Sequence, residues 1–430
     1  MNPLAYLDYQ ATTSLAPEVA AAMRPWIETN FANPHSRHRL GREAAAAIEV
    51  ARERVLAALT WGGGNADLET RSSRAKSRGA ADDSVPARAR DDSVPAPLDY
   101  ARDERSLDPA PPPSAPPPGS LYFTSGATEA ANWALKGAVG RLPANRRRIV
   151  TLSTEHACVL DTARWLAGQG TEVIILPVQP DGLVDLAALE AEVDDRTGLV
   201  AAMLVNNEIG VIQPVAEIGQ IARSAGALFF CDAVQGFGRV PVPLEACDMA
   251  AVSAHKVHGP KGIGALWLRE GVAIDPLLHG GGQEGGIRSG TLSPALCVGF
   301  GEAARLLVER EEVDRMHVAR LRRLAMERLP GWTLNGSAEH RYPGNLNIRR
   351  QGVDSARLIS ELRGIAFSSG SACASGSGRP SHVLSALGLT DAEARSSIRI
   401  GFGRYTREQE LLDALGMIEE AAARQLSFAA

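Results

Sequence analysis

No Cys-x-x-Cys pair occurs in these 430 residues, and the five cysteines, Cys158, Cys231, Cys247, Cys297 and Cys373, are odd in number and widely spread. That excludes a disulfide framework and a cysteine-based zinc site, leaves no metal centre to expect, and fits a reducing compartment. Also lacking is any uninterrupted apolar run of bilayer-spanning length, and Met1 to Asp8 has no basic segment followed by an apolar core. The expectation is a soluble, cytoplasmic protein with no membrane partner. Charge of one sign is absent too: 45 Lys and Arg stand against 50 Asp and Glu, so no broad basic field invites nucleic acid. What is present, 45% hydrophobic and 22% charged residues, is an ordinary globular composition with length enough for two domains. Small-molecule chemistry is the class that remains.

From about Leu121 onward, apolar strand-like runs alternate with amphipathic helix-like runs, the pattern of a mostly parallel sheet covered by helices on both faces. Strands are predicted at Arg148-Leu152, Glu172-Leu176, Leu199-Leu204, Leu228-Cys231, Met249-Ser253 and Gly264-Leu268. Helices are predicted at Thr128-Val139, Val159-Ala167 and, after Pro214, Val215-Ser224. After Gly299 the pattern changes to a long charged helix (Glu302 to Arg328), a strand at Asn345-Ile348, helix-like Ser355-Leu362 and a final helix from about Arg407 to Arg424. The reading is therefore an α/β chain with an N-terminal segment (1-20), a large domain (21-268) and a smaller C-terminal α+β domain (269-430). Gly62 to Ser120 is different in kind: rich in Ala, Arg, Asp, Ser and Pro, it contains a short repeat, Asp82-Asp83-Ser84-Val85-Pro86-Ala87 and Asp91-Asp92-Ser93-Val94-Pro95-Ala96. With so few large apolar residues it reads as a flexible, low-complexity insertion within the large domain.

Four places where strands end carry the chemistry, and ligands of open α/β sheets collect at the carboxyl ends of strands. In Ala250 to Gly264 an apolar run ends in Ser253, His255 and Lys256; a lysine there forms a Schiff base when its amine is kept partly neutral. Taken alone, Lys256 also reads as a solvated surface residue, and Lys261 is an equal candidate. Asp232 follows the buried run Phe229-Phe230-Cys231, where its carboxylate can meet a protonated ring nitrogen or simply cap a helix. Phe123 to Glu129 reads as strand, small-residue turn and helix start, a setting in which backbone N–H groups cradle a phosphate. His156 follows the strand at Arg148-Leu152 and can stack on a planar ring, move a proton, or be structural. The four together, in the order phosphate turn, histidine, aspartate, lysine, are far more specific than any one of them.

The stretches YLDYQATT, FTSGATEAANWALKG, TEHACVLDT, VNNEIGVIQP, CDAVQGFGRVPV, SAHKVHGPKGIGALW, RSGT and SSGSACAS resemble the signature segments of the cysteine desulfurases, in the class V aminotransferase group. The resemblance runs from Tyr6 to the C-terminal helix and implies a pyridoxal 5'-phosphate (PLP) enzyme of the type I transferase fold. It implies that Lys256 is the Schiff-base lysine, that His156 stacks on the cofactor, that Asp232 meets the pyridine nitrogen, and that Gln235 and Asn207 lie near the phenolic oxygen. The phosphate would be held by Ala127, Thr128, Ser253 and His255, with Thr291 reaching in from the second subunit of a homodimer. Arg399 would grip the carboxylate of L-cysteine, with Asn207 beside the substrate.

Cys373 lies in a run of small residues from Phe367 to Gly378, a composition that predicts an exposed, mobile loop. By the same resemblance its thiolate takes the substrate sulfur as a persulfide, leaving L-alanine, and hands it to a sulfur acceptor or scaffold protein for iron-sulfur cluster assembly, tRNA thiolation or cofactor synthesis. The loop resembles the long-loop subgroup. The other four cysteines read as buried hydrophobes. Two departures stand out: the chain ends soon after Arg424, without the extension by which housekeeping members engage an iron-sulfur scaffold, and the family has only a short connection where residues 62–120 fall. The competing readings are a selenocysteine lyase or related β-lyase, which would not depend on Cys373, and a catalytically silent binding subunit.

Overall fold

The computed structural model describes residues 5–61, 118–369 and 381–429. Its strands are β1 (Ala5–Tyr6), β2 (Gly119–Thr124), β3 (Arg148–Leu152), β4 (Glu172–Leu176), β5 (Thr197–Met203), β6 (Leu228–Asp232), β7 (Met249–Ser253), β8 (Gly264–Arg269), β9 (Thr333–Leu334), β10 (Asn345–Arg349), β11 (Ile365–Ala366) and β12 (Ser397–Gly401). Seven of them form one sheet in the order β2-β8-β7-β6-β5-β3-β4. In it only β8 runs against its neighbours. This is the mostly parallel α/β sheet expected from the sequence.

β3, β5 and β7 are buried at every position, as befits strands covered on both faces, whereas the edge strand β4 is buried only at Leu176. Side chains alternate between two cores. Val200, Phe229 and Ala250 join Ile218 and Phe300 on one face, while Ala201, Phe230 and Ala251 join Trp133 and Leu135 on the other. Full burial of a phenylalanine contributes about 1.5–3 kcal/mol, so Phe229 and Phe230 pin the register of β6 from opposite sides. A one-residue slip would exchange the two faces. Because β2, β3, β5, β6 and β7 share one direction, their carboxyl ends lie along one edge of the sheet.

A second sheet, in the order β12-β10-β9, is antiparallel. β1 pairs in parallel with β11, and Asp8 bridges to Gly401 of β12. Gly401 is required there: a Cβ at this position would stand 1.7 Å from Gln10 Oε1 and 3.0 Å from Tyr9 N. That close approach brings the N-terminal segment across the end of β12 and onto Lys256.

Several boundaries shift by a few residues, among them β5, which begins at Thr197, and the last helix, which runs to Ala429; two shifts have a local cause. The long helix begins at Pro294, not Glu302, because the Ser293 side chain caps it by accepting the Leu296 N–H and Pro294 fills its first turn. Gly299 and Gly301 sit inside it as points of close packing; a Cβ on Gly301 would lie 2.6 Å from Ala51 Cα. The low-complexity stretch, expected to run to Ser120, stops earlier, since Gly119 and Ser120 pair with Arg269 and Leu268 as the start of β2. The rest of that stretch, its repeat included, lies outside the described residues, as does the segment 370–380 with Cys373. No helix among the described residues is long and apolar enough to cross a membrane.

Candidate active site

A cavity of about 620 Å³ opens at the carboxyl ends of the parallel strands and is lined by Ala127, Thr128, His156, Asn207, Asp232, Gln235, Ser253, His255, Lys256 and Arg399, among others. Every described residue singled out from the sequence is thus brought to one place, except Thr291, which is exposed and does not line it. Cys373 is outside the described residues.

Lys256 ends a short turn, Ala254–Lys256, that follows β7 directly. Its Nζ donates to the carbonyls of Gln10 (2.7 Å) and Ala11 (2.8 Å), contributed by the N-terminal segment. Burial, with the charges of Arg239 and Arg399, holds its amine down at about 8, against the pull of Asp232 and Asp8. A substantial neutral fraction is therefore present near neutrality. Lys261 is exposed at the cavity's rim, which separates the two lysines that the sequence left equal.

Arg239 was not anticipated. Its Nη2 donates 2.7 Å to the Lys256 carbonyl, its Nη1 donates to the carbonyl and the side-chain oxygen of Gln235, and its guanidinium stands over the Tyr342 ring at 5.3 Å. A half-buried cation beside the amine disfavours a second positive charge. We expect Arg239→Gln to raise the Lys256 midpoint by about one pH unit. Competitive acetylation of the cofactor-free enzyme across pH measures it, and an unchanged midpoint refutes the assignment.

Asp232 closes β6; its Oδ1 accepts the Val234 N–H at 3.0 Å. Burial pushes its carboxyl up from the ordinary range, opposed by His156, the Val234 amide and Lys256. Gln235, next along, donates to the Gln10 carbonyl at 2.9 Å. His156 precedes the helix Ala157–Ala167, and its Nδ1 accepts the Cys158 N–H at 3.2 Å. Asn207 lines the cavity, and its carbonyl accepts from Arg399 at 3.0 Å.

At the other end the helix Ala127–Arg141 starts behind Gly126 with no side-chain cap, leaving its first N–H groups without intrahelical partners. The hydroxyls of Thr128 and Ser253 have no hydrogen-bond partner among the described residues. His255 Nδ1 lies 3.1 Å from Thr12 Oγ1, and burial with the charge of Lys256 holds this imidazole down at about 4. Gly264 keeps the turn in place: a Cβ there would come within 2.6 Å of the Val252 carbonyl oxygen and 2.8 Å of Gly126 C. Unpartnered donors at a helix N-terminus suit a phosphate.

Arg399, in the middle of β12, is buried. It donates from Nη2 to Asp8 Oδ1 (2.6 Å) and from Nη1 to the Asn207 carbonyl, while its Nε has no partner among the described residues. Two acids were also missed. Glu208, buried, accepts from the Ser381 hydroxyl, and burial pushes it upward. The Glu155 carbonyl lies 3.0 Å from His382 Nε2. Ser368, on the other side of the 370–380 segment, exchanges two backbone hydrogen bonds with Arg399. No spacing rule along the chain links residues 155 and 208 to 381 and 382.

A profile of the class-V aminotransferases matches residues 5–61 and 114–415. The chain belongs to this family. Within it the similarity is to cysteine desulfurases. The cysteine desulfurase IscS of Rickettsia bellii (strain OSU 85-389) is 41% identical over 422 residues, covering 96% of this chain and 90% of the relative. Among solved structures a NifS-like protein superposes with a TM-score of 0.78 at 32% identity, over 99% of this chain and 100% of that one. The structure titled SspA in complex with cysteine gives 0.70 at 31%, over 94% and 99%. Class-V aminotransferases of this kind depend on PLP, and the cavity fits it: a near-neutral buried amine for the aldehyde, a buried carboxyl for the ring nitrogen and unpartnered donors for the phosphate.

Proposed function

We propose that this cysteine desulfurase converts L-cysteine to L-alanine and transfers the sulfur to Cys373 as a persulfide, for delivery to an acceptor protein. The observation that carries the reading is the pairing, in one cavity, of the Lys256 amine held near 8 with a buried arginine, Arg399, whose Nε has no partner among the described residues. Bound PLP supplies an electron sink for the carbon skeleton of the amino acid.

The residues divide that work. Lys256 anchors the cofactor aldehyde and, as a free amine, moves the proton at the substrate Cα. Asp232 would face the ring nitrogen, and His156 would cover the ring. Gln235 and Asn207 would meet the phenolic oxygen, and the Ala127 and Thr128 N–H groups with Ser253 and His255 would hold the phosphate. Thr291, exposed in one protomer, completes the phosphate site of a second copy, which makes the working unit a homodimer in our reading. Arg399 orients the substrate through its carboxylate. The Cys373 thiolate attacks the substrate sulfur; an S–S bond forms, the Cβ–S bond breaks, and the electron pair left on carbon takes up a proton to give alanine.

Incubation with L-cysteine and a thiol reductant should yield sulfide and alanine in equal amounts; alanine without sulfide, or neither product, refutes the reading. Arg399→Lys retains the charge but loses the planar fork, and should raise KM for L-cysteine about 10- to 100-fold, as loss of a charged hydrogen bond does. Steady-state kinetics checks this, and an unchanged KM would remove Arg399 from the substrate site.

A further inference from the structure

His156 is read above as the residue that covers the cofactor ring, and an imidazole in that position can stack and donate a hydrogen bond or take up a proton. The hydrogen bonds at its ring nitrogens decide between these. The Cys158 amide approaches Nδ1 at 3.2 Å, and the Cys158 Sγ lies 3.1 Å from the same nitrogen. A backbone N–H only donates, so Nδ1 presents its lone pair. The thiol, in contact with a lone pair, donates as well. Nε2 makes no hydrogen bond among the described residues, and the ring lines the cavity.

We infer that Cys158 is a positioning residue for His156: its amide and its thiol both donate to Nδ1, holding the ring neutral with its one proton on Nε2. A proton on Nδ1 would face both donors at once. His156 therefore offers the cavity a neutral ring face and an Nε2–H donor, and it does not act as a base through Nδ1. The inference rests on the proposed function only for the position of His156 beside the cofactor; the tautomer follows from the contacts alone.

The surroundings act in both directions. Burial lowers the imidazole from its ordinary value, and Lys256 on the turn after β7 and His382 on the helix His382–Ala386 lower it further. Asp232 at the end of β6 and Asp161 on the helix His156 caps favour the charged form. The thiol adds to the first group, because a hydrogen bond to the neutral form opposes protonation. Burial raises the Cys158 thiol, so its proton is in place at neutral pH. The sequence offered no sign of this, since Cys158 read as an ordinary buried cysteine.

The test is a pH titration of the PLP-loaded enzyme labelled with 15N-histidine, with His156 assigned by its absence in His156→Asn. In the wild type the ring should be the Nε2–H tautomer, with a midpoint below that of a free histidine. In Cys158→Ala the midpoint should rise by about half to one pH unit, the equivalent of one neutral hydrogen bond. Cys158→Ser, which keeps a donor, should restore the wild-type midpoint. A structural role alone would lower the melting temperature of both variants and leave the midpoint where it was. A proton on Nδ1 in the wild type overturns the inference, as does a Cys158→Ala midpoint equal to wild type; if Cys158→Ala does not fold, Cys158→Val, which fills the space without a donor, takes its place in the midpoint comparison. None of these outcomes depends on sulfide release, so failure here leaves the desulfurase reading intact, and failure of that reading leaves the tautomer measurable.

Discussion

Cys373→Ala retains the yellow cofactor and still binds L-cysteine, yet releases sulfide at less than about a thousandth of the wild-type rate. The size of the effect follows from the other four thiols. Cys231, Cys247 and Cys297 are buried and Cys158 is half-buried. The thiolate is the nucleophile, and burial works against it at each resolved position. Cys297 is pushed up to about 12 by burial, which at pH 8 leaves roughly one thiolate in ten thousand. Cys158 is raised further, by burial and the charge of Asp232, and Cys231 is raised by its hydrogen bond to Cys247 and by burial. Among the described residues Cys158 is the one thiol that lines the cavity, and burial keeps it protonated. Sulfide release with a reductant, alongside iodoacetamide labelling at pH 8, measures both halves of the statement. A Cys373→Ala enzyme that desulfurates at full rate would establish a lyase that eliminates the sulfur without a carrier thiol.

Lys256→Ala has the second large effect: the visible absorption of the lysine-bound cofactor disappears, and sulfide release falls by more than about a thousandfold. Two roles are lost at once, the covalent anchor and the base at Cα. The neighbours cannot replace it. Arg239 and Arg399 carry guanidinium groups, not primary amines, and Lys261 is exposed at the rim. Lys261→Ala is the matched control and should keep both the absorption and the rate. Persistence of the absorption in Lys256→Ala would transfer the anchoring role to another amine.

Much of this site was legible before any coordinates. The motif lysine, aspartate, histidine and phosphate turn each follow an apolar run, and one β-direction for β2, β3, β5, β6 and β7 makes four separate strand ends into one cavity wall. Helix limits were less legible. The long helix extends back to Pro294 because its glycines, which read as a break in pattern, are packing contacts against the helix Arg39–Thr60 and against Met23. The electrostatic setting was not legible at all. Asp8 lies 391 positions from the arginine it pairs with, and Gln10 accepts from a lysine 246 positions away.

The sequence by itself determined the fold class and the chemical cast. A strand's burial on both faces is written in its run of apolar residues, and a reactive group's type is written in its side chain. That the Lys256 amine is depressed, and that Arg399 Nε has no partner among the described residues, were decided only by tertiary structure. These depend on burial and on charges a few ångströms away, and those distances exist only once segments hundreds of residues apart are packed together.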